Sequence, residues 1–315
     1  MGRPYSLAKF NLHFRIKRNH FVVYGLPAIA SALGSLTITD VKVVEGHGWT
    51  VDDQRPATPG YKKQKYNEAM QSITNVLNHL KIDTENQKLE ITFTGDLFAA
   101  SGVGASAAQC TSLARALNDS FNLNLDDEKI NDAAYEGEKA YHGTPSGIDN
   151  TASTFGGLIW FVKNLSGGKN TMNLLQSPKK MPLVIANSRI TASTTEVVAD
   201  VRRLKEENPE KFEKIFNKYE DIAHKAKKAL IEGDITTIGN LMNQNHKLLQ
   251  DITVSGEIND KLVDIALKNG AIGAKMTGTG RGGLVIALAK NEEIQENIAK
   301  VIENEGYDAW KTIIG

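Results

Sequence analysis

Three observations predict an α+β fold with two domains. The chain has 315 residues, which is more than one domain usually contains. Short segments with the periodicity of strands occur in both halves, and amphipathic helical segments alternate with them. From about residue 190 the chain becomes mainly helical and highly charged. We therefore expect a soft boundary near residue 180, which gives domains over 1–180 and 181–315.

In the first half, hydrophobic periodicity predicts each element. Alternating apolar and polar residues predict strands over 5–17 and 36–45. Two further strands are expected over Leu89–Thr94 and Leu158–Val162. Apolar residues at helical spacing predict three helices, over Tyr61–Leu80, Ala105–Phe121 and Asp127–His142.

In the second half, strands and helices are equally recognisable. Residues 194–250 read as helical with a break near Asn208-Pro209, because proline lacks the amide that a helix interior requires. Two further helices are predicted, over Glu257–Lys268 and Glu292–Asn304. The predicted strands are Met181–Ala186, Ile272–Met276, Leu284–Leu288 and Asp308–Ile314.

The composition limits the class of protein. Basic and acidic residues each number 37, so the formal net charge is zero, which argues against nucleic acid as the main partner. The single cysteine, Cys110, excludes an intramolecular disulfide and falls on the apolar face of a predicted helix. No run of 18 apolar residues predicts a membrane span. We expect a cytoplasmic protein without a membrane partner, and a homodimer is one assembly open to it.

A string of small residues, S-G-V-G-A-S-A-A, occupies Ser101–Ala108 between a predicted strand and a helix. Amides in the first turn of a helix lack intrahelical acceptors, and with the helix dipole they favour a bound anion. The hydroxyls of Ser101 and Ser106 could hold phosphate oxygen or magnesium. The string also fits the dinucleotide pattern G-x-G-x-x-A, with Asp126 near the expected distance, and it fits a plain tight turn.

A second string, G-T-P-S-G-I-D-N, occupies Gly143–Asn150 after a helix predicted to end at His142. A rigid turn there would present Asp149, whose carboxylate could accept a proton from an alcohol or bind a metal. Glu138, on the preceding helix, is a second candidate metal ligand. The alternative is that Asp149 only caps the next segment.

A third string, Thr277–Gly283, lies between two predicted strands. Four glycines within six residues exceed what a hairpin turn requires. The excess favours a loop that closes over phosphates, and a flexible hairpin is the alternative.

Together these strings resemble the GHMP kinase superfamily, and most closely its mevalonate-phosphorylating branch. The family strings G-L-G-S-S-A-A, G-x-P-S-G-x-D-N and T-G-x-G-x-G-G correspond to Gly102–Ala108, Gly143–Asn150 and Thr277–Gly283. His20–Ala30 resembles the segment after the family's first motif, so the resemblance extends from about residue 20 to the end. It implies the two-domain GHMP kinase fold, with an N-terminal ribosomal-protein-S5-like domain and a C-terminal ferredoxin-like α/β sandwich.

The resemblance implies an ATP- and magnesium-dependent kinase for the 5-hydroxyl of mevalonate, acting in isoprenoid precursor synthesis. Such an enzyme works by positioning and charge stabilisation. Asp149 and Lys9 would be catalytic, and Ser106 and Glu138 would bind magnesium. The residues that would bind ATP are Ser101, Gly102, Val103, Gly104, Ala105, Ser106 and Ala107. Those that would bind the acceptor substrate are His20, Thr194, Gly278, Thr279 and Gly280.

The first motif of the family, P-G-K-x-x-L-x-G-E-H, is altered upstream of His20. The glycine and glutamate are missing, and Lys9 lies four residues too far from His20. Lys17 and Arg18 are therefore alternatives to Lys9 as the cation that stabilises the transferring phosphate, although both also fit a solvated turn.

Three further positions differ from the family pattern. Phe98 replaces the proline that usually begins the phosphate loop, Ala105 replaces its first serine, and Arg281 stands where glycine is common. These changes leave open a GHMP kinase for another small alcohol, such as phosphomevalonate, a sugar or homoserine. They also leave open a ligand-binding pseudokinase. A dehydrogenase would use the G-x-G-x-x-A string but would give Asp149 no role.

Overall fold

The computed structural model of the chain describes residues 6–10, 21–99, 104–190, 194–278 and 280–315. Their contacts divide into two compact units.

The first unit comprises the strand Ser6–Phe10 and residues Ala32–Gly156; the second comprises residues 21–31 and Gly157–Gly315. The division lies after Gly156, before the boundary expected near residue 180. The reason is that the strand just after Gly156, Leu158–Val162, pairs on one side with residues 28–31 and on the other with Thr171–Leu175, which all belong to the second unit.

The described residues form eleven strands and ten α-helices. The strands are β1 (Ser6–Phe10), β2 (Ala28–Ser31), β3 (Leu33–Val44), β4 (Gly48–Asp53), β5 (Lys88–Thr94), β6 (Leu158–Val162), β7 (Thr171–Leu175), β8 (Met181–Asn187), β9 (Gly273–Thr277), β10 (Leu284–Leu288) and β11 (Asp308–Ile314). The helices are α1 (Tyr61–Gln64), α2 (Tyr66–His79), α3 (Ala105–Phe121), α4 (Asp127–His142), α5 (Ile148–Phe155), α6 (Thr194–Glu207), α7 (Pro209–Glu232), α8 (Ile235–Asp251), α9 (Glu257–Lys268) and α10 (Glu292–Asn304). None of these helices is long and apolar enough to cross a lipid bilayer.

The first unit is a four-stranded sheet with helices packed against it. The strand order is β1-β3-β5-β4, in which only the β4–β5 pair is parallel. Burial alternates along β5, so Leu89, Ile91 and Phe93 face the core. Helix α3 packs on β1 and β3 and also contacts α2, α4 and α5. This central position makes α3 the helix around which the unit is organised.

The second unit contains two sheets. One has the order β11-β8-β10-β9, all antiparallel, with helices α8, α9 and α10 packed on it. Strands β8 and β10 are central and buried along their whole length. Strand β9 is also buried throughout although it lies at the edge of the sheet, where helices α8 and α9 pack on it. The β9–β10 connection holds the third glycine string. The smaller sheet has the order β2-β6-β7.

Helix α7 is fixed to the start of β2 by one aromatic side chain. Tyr219 is fully buried, and its ring stacks on Phe21 with centroids 3.8 Å apart. Its hydroxyl donates to the carbonyl of Pro27 at 2.6 Å. The burial of Tyr219 is therefore compatible with its polar atom, because the hydroxyl has an acceptor.

Most predicted elements are confirmed, and α3, α4, α9 and α10 have the predicted bounds. The break near Asn208-Pro209 is confirmed, but the helical segment breaks a second time at Gly233-Asp234. The helix predicted over Tyr61–Leu80 is two helices that meet at Lys65. The structure adds β2, β4, β7 and α5, which the sequence did not indicate.

Candidate active site

The phosphate-loop helix α3 begins at a glycine in a left-handed conformation. Gly104, its N-cap, has φ +71° and provides no side-chain cap. Ala105, Ser106 and Ala107 form the first helical turn, which contains no acidic residue. The amides of that turn have no intrahelical acceptors, and no carboxylate of the turn opposes an anion. The start of α3 is therefore suited to bind phosphate.

Helix α4 brings a buried carboxylate close to α3. Glu138 is fully buried, and Nε2 of His142 lies 3.8 Å from its Oε2. A Cβ atom at Gly137 would stand 2.7 Å from Sγ of Cys110 and 2.8 Å from Cγ2 of Val76. Only glycine lets the two helices approach this closely, so Gly137 sets the distance of the Glu138 backbone from α3.

Cys110 is a core residue rather than a nucleophile. The thiol is buried in the core of the first unit. Burial, with a further contribution from the charge of Glu138, raises its pKa, so the thiol stays protonated.

Asp149 lies in the first turn of α5, a helix that replaces the turn expected from the sequence. The helix begins after Gly147, whose φ is +87°, and Asp149 is only 1% exposed. A carboxylate in a first turn is stabilised by the helix dipole in its charged form. Asp149 is thus a buried carboxylate in the first turn of a helix rather than a surface cap.

Polar contacts fix both ends of α5. Near its start, the side-chain Nδ2 of Asn150 donates to Oδ1 of Asn131 on α4 at 2.6 Å. Near its end, Arg115 of α3 donates to the carbonyl of Thr154 at 2.8 Å and pairs with Asp127, the first residue of α4. These hydrogen bonds and the ion pair therefore fix the positions of helices α3, α4 and α5 relative to one another. Ser106, Glu138 and Asp149 consequently lie on one set of interlocked elements.

Lys9 lies on the strand next to these helices. β1 contacts both α3 and α5, and the Cα atom of Lys9 pairs with that of Leu36. The strand register shifts between Lys9 and Phe10, which marks a bulge where a strand changes direction. The backbone position of Lys9 is compatible with its predicted role.

One residue of this site was not predicted from the sequence. Arg55 follows β4, is 4% exposed, and donates Nη1 to the carbonyl of Ala105 at 3.2 Å. It forms a bidentate pair with Asp53, at 2.9 and 2.8 Å, and donates Nη2 to Oε1 of Gln109 at 2.7 Å. Arg55 therefore places a buried positive charge beside the first turn of α3. The residue follows a strand that was itself not predicted.

The charge of Arg55 changes the titration of its partner. Burial alone would raise the pKa of Asp53, but the hydrogen bonds and charge of Arg55, with the charge of Lys62, outweigh burial and lower it. Asp53 therefore remains a carboxylate, and the pair keeps its charge-assisted hydrogen bonds.

The predicted acceptor-binding residues that are described lie in the second unit. Gly278 and Gly280 have φ values of +94° and +89°, conformations that favour glycine at these two positions. Thr194 is the first residue of α6. A Cβ atom at Gly280 would stand 3.2 Å from Cγ1 of Val197, three residues further along α6. The loop therefore packs on the beginning of that helix.

Several predicted positions lie outside the described residues. They are Ser101, Gly102, Val103, His20 and Thr279, together with the alternatives Lys17 and Arg18. Their assigned roles stay predictions.

Comparison with known proteins identifies the family. The model of the GHMP kinases N terminal domain matches residues 67–157, and that of the GHMP kinases C terminal domain matches residues 226–308. The mevalonate kinase of Thermococcus sibiricus is 31% identical over 306 residues, which cover 91% of this chain and 89% of that protein.

Solved structures agree with this assignment. The crystal structure of L. major mevalonate kinase in complex with R-mevalonate matches with a TM-score of 0.93 and 37% identity, over 99% of this chain and 96% of that one. Lactococcus lactis galactokinase in complex with galactose, at 20% identity and a TM-score of 0.76, covers 99% of this chain and 93% of that one and shares the fold. The predicted two-domain fold is thereby confirmed: the chain is a phosphotransferase that belongs to the GHMP kinase family.

Proposed function

We propose that this kinase transfers the γ-phosphoryl group of ATP to the 5-hydroxyl of mevalonate, giving 5-phosphomevalonate. The observation that carries the proposal is the match along almost the whole chain to a mevalonate kinase with R-mevalonate bound, at a TM-score of 0.93. The reaction belongs to isoprenoid precursor synthesis.

Asp149 is the residue assigned to the acceptor hydroxyl. Its buried position at the start of α5 keeps water from competing for the carboxylate. In phosphoryl transfer, such an aspartate orients the hydroxyl and accepts its proton. Because α5 is held by Asn131 and Arg115, the carboxylate has little freedom to leave this position.

The charge of the triphosphate must be balanced by groups around the start of α3. The first-turn amides of α3 supply partial positive charge. Arg55, whose charge is paired with Asp53, holds the first turn through the carbonyl of Ala105, and Lys9, on a strand that contacts α3, is assigned to the transferring phosphate. The amides and Lys9 would supply positive potential at the phosphates, which the zero net charge of the whole chain does not provide.

The residues present fit a magnesium ion held together with ATP. Magnesium prefers oxygen ligands and is usually bound by one or two carboxylates together with substrate phosphates. The buried carboxylate of Glu138 and the hydroxyl of Ser106 are such donors on two packed helices. Among the described residues no group of three or more His, Cys, Asp or Glu side chains could enclose a metal by itself. A bound magnesium ion would neutralise charge on the phosphate oxygens.

A phosphate-transfer assay with purified protein tests the function. With ATP and magnesium, ADP release should be fastest with mevalonate in a panel that includes phosphomevalonate, homoserine and galactose. Asp149→Asn should lower kcat by about 10²- to 10⁴-fold, because the base is removed while the shape is kept. Asp132→Asn, which alters an exposed carboxylate on α4, is the matched control and should retain full activity.

Each alternative function has its own outcome in this assay. If ADP release is faster with another alcohol of the panel, that alcohol and not mevalonate is the substrate. ATP binding without turnover of any alcohol would indicate a pseudokinase. A thermal shift with NAD and none with ATP would indicate a dehydrogenase, because a ligand that binds the folded state raises its melting temperature.

A further inference from the structure

Arg281 stands inside the third glycine string, in a conformation that favours glycine. Its φ is +48°, within the left-handed region that side chains other than those of Asn and Asp rarely adopt. The family commonly has glycine at this position. An arginine here carries a conformational cost that glycine would not, so the contacts of its side chain are of interest.

The Arg281 side chain makes contacts that turn it away from the loop. Nη1 donates to Oδ2 of Asp200 on α6 at 2.5 Å, and Nε donates to the carbonyl of Thr253 at 3.2 Å. The backbone amide of Arg281 donates to the carbonyl of Val254 at 2.8 Å. One residue therefore joins three segments of the second unit: the glycine loop, the turn after α8, and α6.

The same loop is fixed by further contacts of the glycines next to Arg281. The amide of Gly282 donates to Oδ1 of Asn259 at 2.9 Å, and the amide of Gly283 donates to the carbonyl of Ile190 at 2.9 Å. A Cβ atom at Gly280 would stand 2.9 Å from the carbonyl oxygen of Val254. The loop thus lies against the turn after α8, and Arg281 adds the side-chain link to α6.

Helix α6 begins at Thr194, which is assigned to the acceptor alcohol, and Asp200 lies less than two turns further along it. We propose that Arg281 is a positioning residue: by pairing with Asp200 it latches the glycine loop to α6, so that the loop and the acceptor-binding end of the helix keep one arrangement. The proposal rests on the proposed function for the identity of the acceptor. The two paired side chains are 40% and 35% exposed, so a modest effect that weakens with salt is expected.

The contacts favour this role over direct binding of ATP phosphates by Arg281. Its guanidinium is already engaged by a carboxylate and a carbonyl. If the arginine served ATP directly, removal of Asp200 would free it and would not weaken catalysis. If it serves as a latch, removal of either partner should have the same consequence.

The test compares Arg281→Gly, Asp200→Asn and the double variant, with Asp308→Asn as the matched control. Asp308 pairs with Arg189, which is also exposed and also has a positive φ, so its removal mimics the loss of an arginine partner elsewhere in the unit. Each single variant should raise KM for mevalonate about fivefold, with KM for ATP unchanged within about twofold. The double variant should be no worse than either single one, since both remove one interaction. Asp308→Asn should behave as wild type.

Two further measurements separate the latch from a general loss of structure. Arg281→Gly should not lower the melting temperature, because glycine relieves the left-handed conformation. Hydrogen exchange at the amides of Arg281, Gly282 and Gly283 should be faster in Asp200→Asn than in Asp308→Asn.

The proposal is overturned by an increase confined to KM for ATP in Arg281→Gly, or by an unchanged KM and unchanged exchange in Asp200→Asn. If the substrate panel selects another alcohol, the proposed function fails, and the same variants test the latch with that alcohol.

Discussion

Replacement of Arg55 by methionine tests whether a buried cation supports the phosphate-loop helix. The side chain is 3% exposed, and its loss would remove a bidentate pair with Asp53 and hydrogen bonds to Gln109 and to the carbonyl of Ala105. Methionine fills much of the volume, so the main effect is electrostatic. It would leave Asp53, which is 25% exposed, without the partner that lowers its pKa.

The size of this effect follows from burial. Removal of one partner of a buried ion pair typically costs about 3–5 kcal/mol. Because a quarter of the Asp53 side chain reaches solvent, the lower value of about 3 kcal/mol applies. At about 2–4 °C for each kcal/mol, the melting temperature should fall by about 6–12 °C. Below that temperature, KM for ATP should rise, since Ala105 is the first residue of α3, the helix proposed to bind phosphate.

Thermal unfolding followed by circular dichroism, with kinetics at a temperature where both proteins are folded, measures these effects. Lys62→Met is the matched control, because Lys62 also approaches Asp53, at 3.5 Å, but is 37% exposed. Removal of such a pair should cost less than about 1 kcal/mol. Equal and small shifts of melting temperature in the two variants would refute the assignment of Arg55 as a buried support. An unchanged KM for ATP would refute its link to the phosphate loop.

Two other predictions concern helix packing and pH. Gly137→Ala should lower the free energy of unfolding by about 1–2 kcal/mol, measured in urea, because the added methyl group collides with Cys110 and Val76 and this outweighs the higher helix propensity of alanine. Gly34→Ala is the control, because a methyl group there would meet nothing within 4 Å. Equal losses of stability in the two variants would contradict the packing explanation. His246 is only 6% exposed, and its Nδ1 accepts a hydrogen bond from the backbone amide of Met276. Burial lowers the pKa of His246 to about 4. The charge of Asp260 opposes this decrease, and the charge of Lys275 adds to it. Since the pKa is lower in the folded state than the usual 6.5, stability should fall as pH decreases from about 6.5 to 4, by at most about 3 kcal/mol. His246→Asn keeps an acceptor near Nδ1 and should flatten this dependence; an unaltered pH profile would exclude His246 as its source.

The elements that could be predicted from the sequence are those whose burial follows a regular period. Helix α10 buries Gln295, Ile298, Ala299 and Ile302, which share one face at helical spacing, and β5 alternates strictly. Strand β2 is only four residues long and entirely buried, so it shows no period, and β7 is largely exposed. Arg55 could not be predicted because its partner Gln109 is 54 residues away and is reached only through the fold.

Helix α5 shows why a sequence motif and hydrophobic periodicity can lead to different predictions for the same residues. Five of its eight residues are polar, yet Asp149, Asn150 and Thr151 are almost fully buried. Hydrophobic periodicity cannot detect such a helix, because the residues it buries are polar. Only some of their polar atoms have partners among the described residues: Nδ2 of Asn150 donates to Asn131 and the hydroxyl of Thr151 donates to the carbonyl of Gly147. A chain that buries a carboxylate and its supporting polar residues departs from the usual pattern of a stable core, and such departures are expected at functional sites. The string G-T-P-S-G-I-D-N therefore indicated the site while the periodicity of the same residues indicated only a turn.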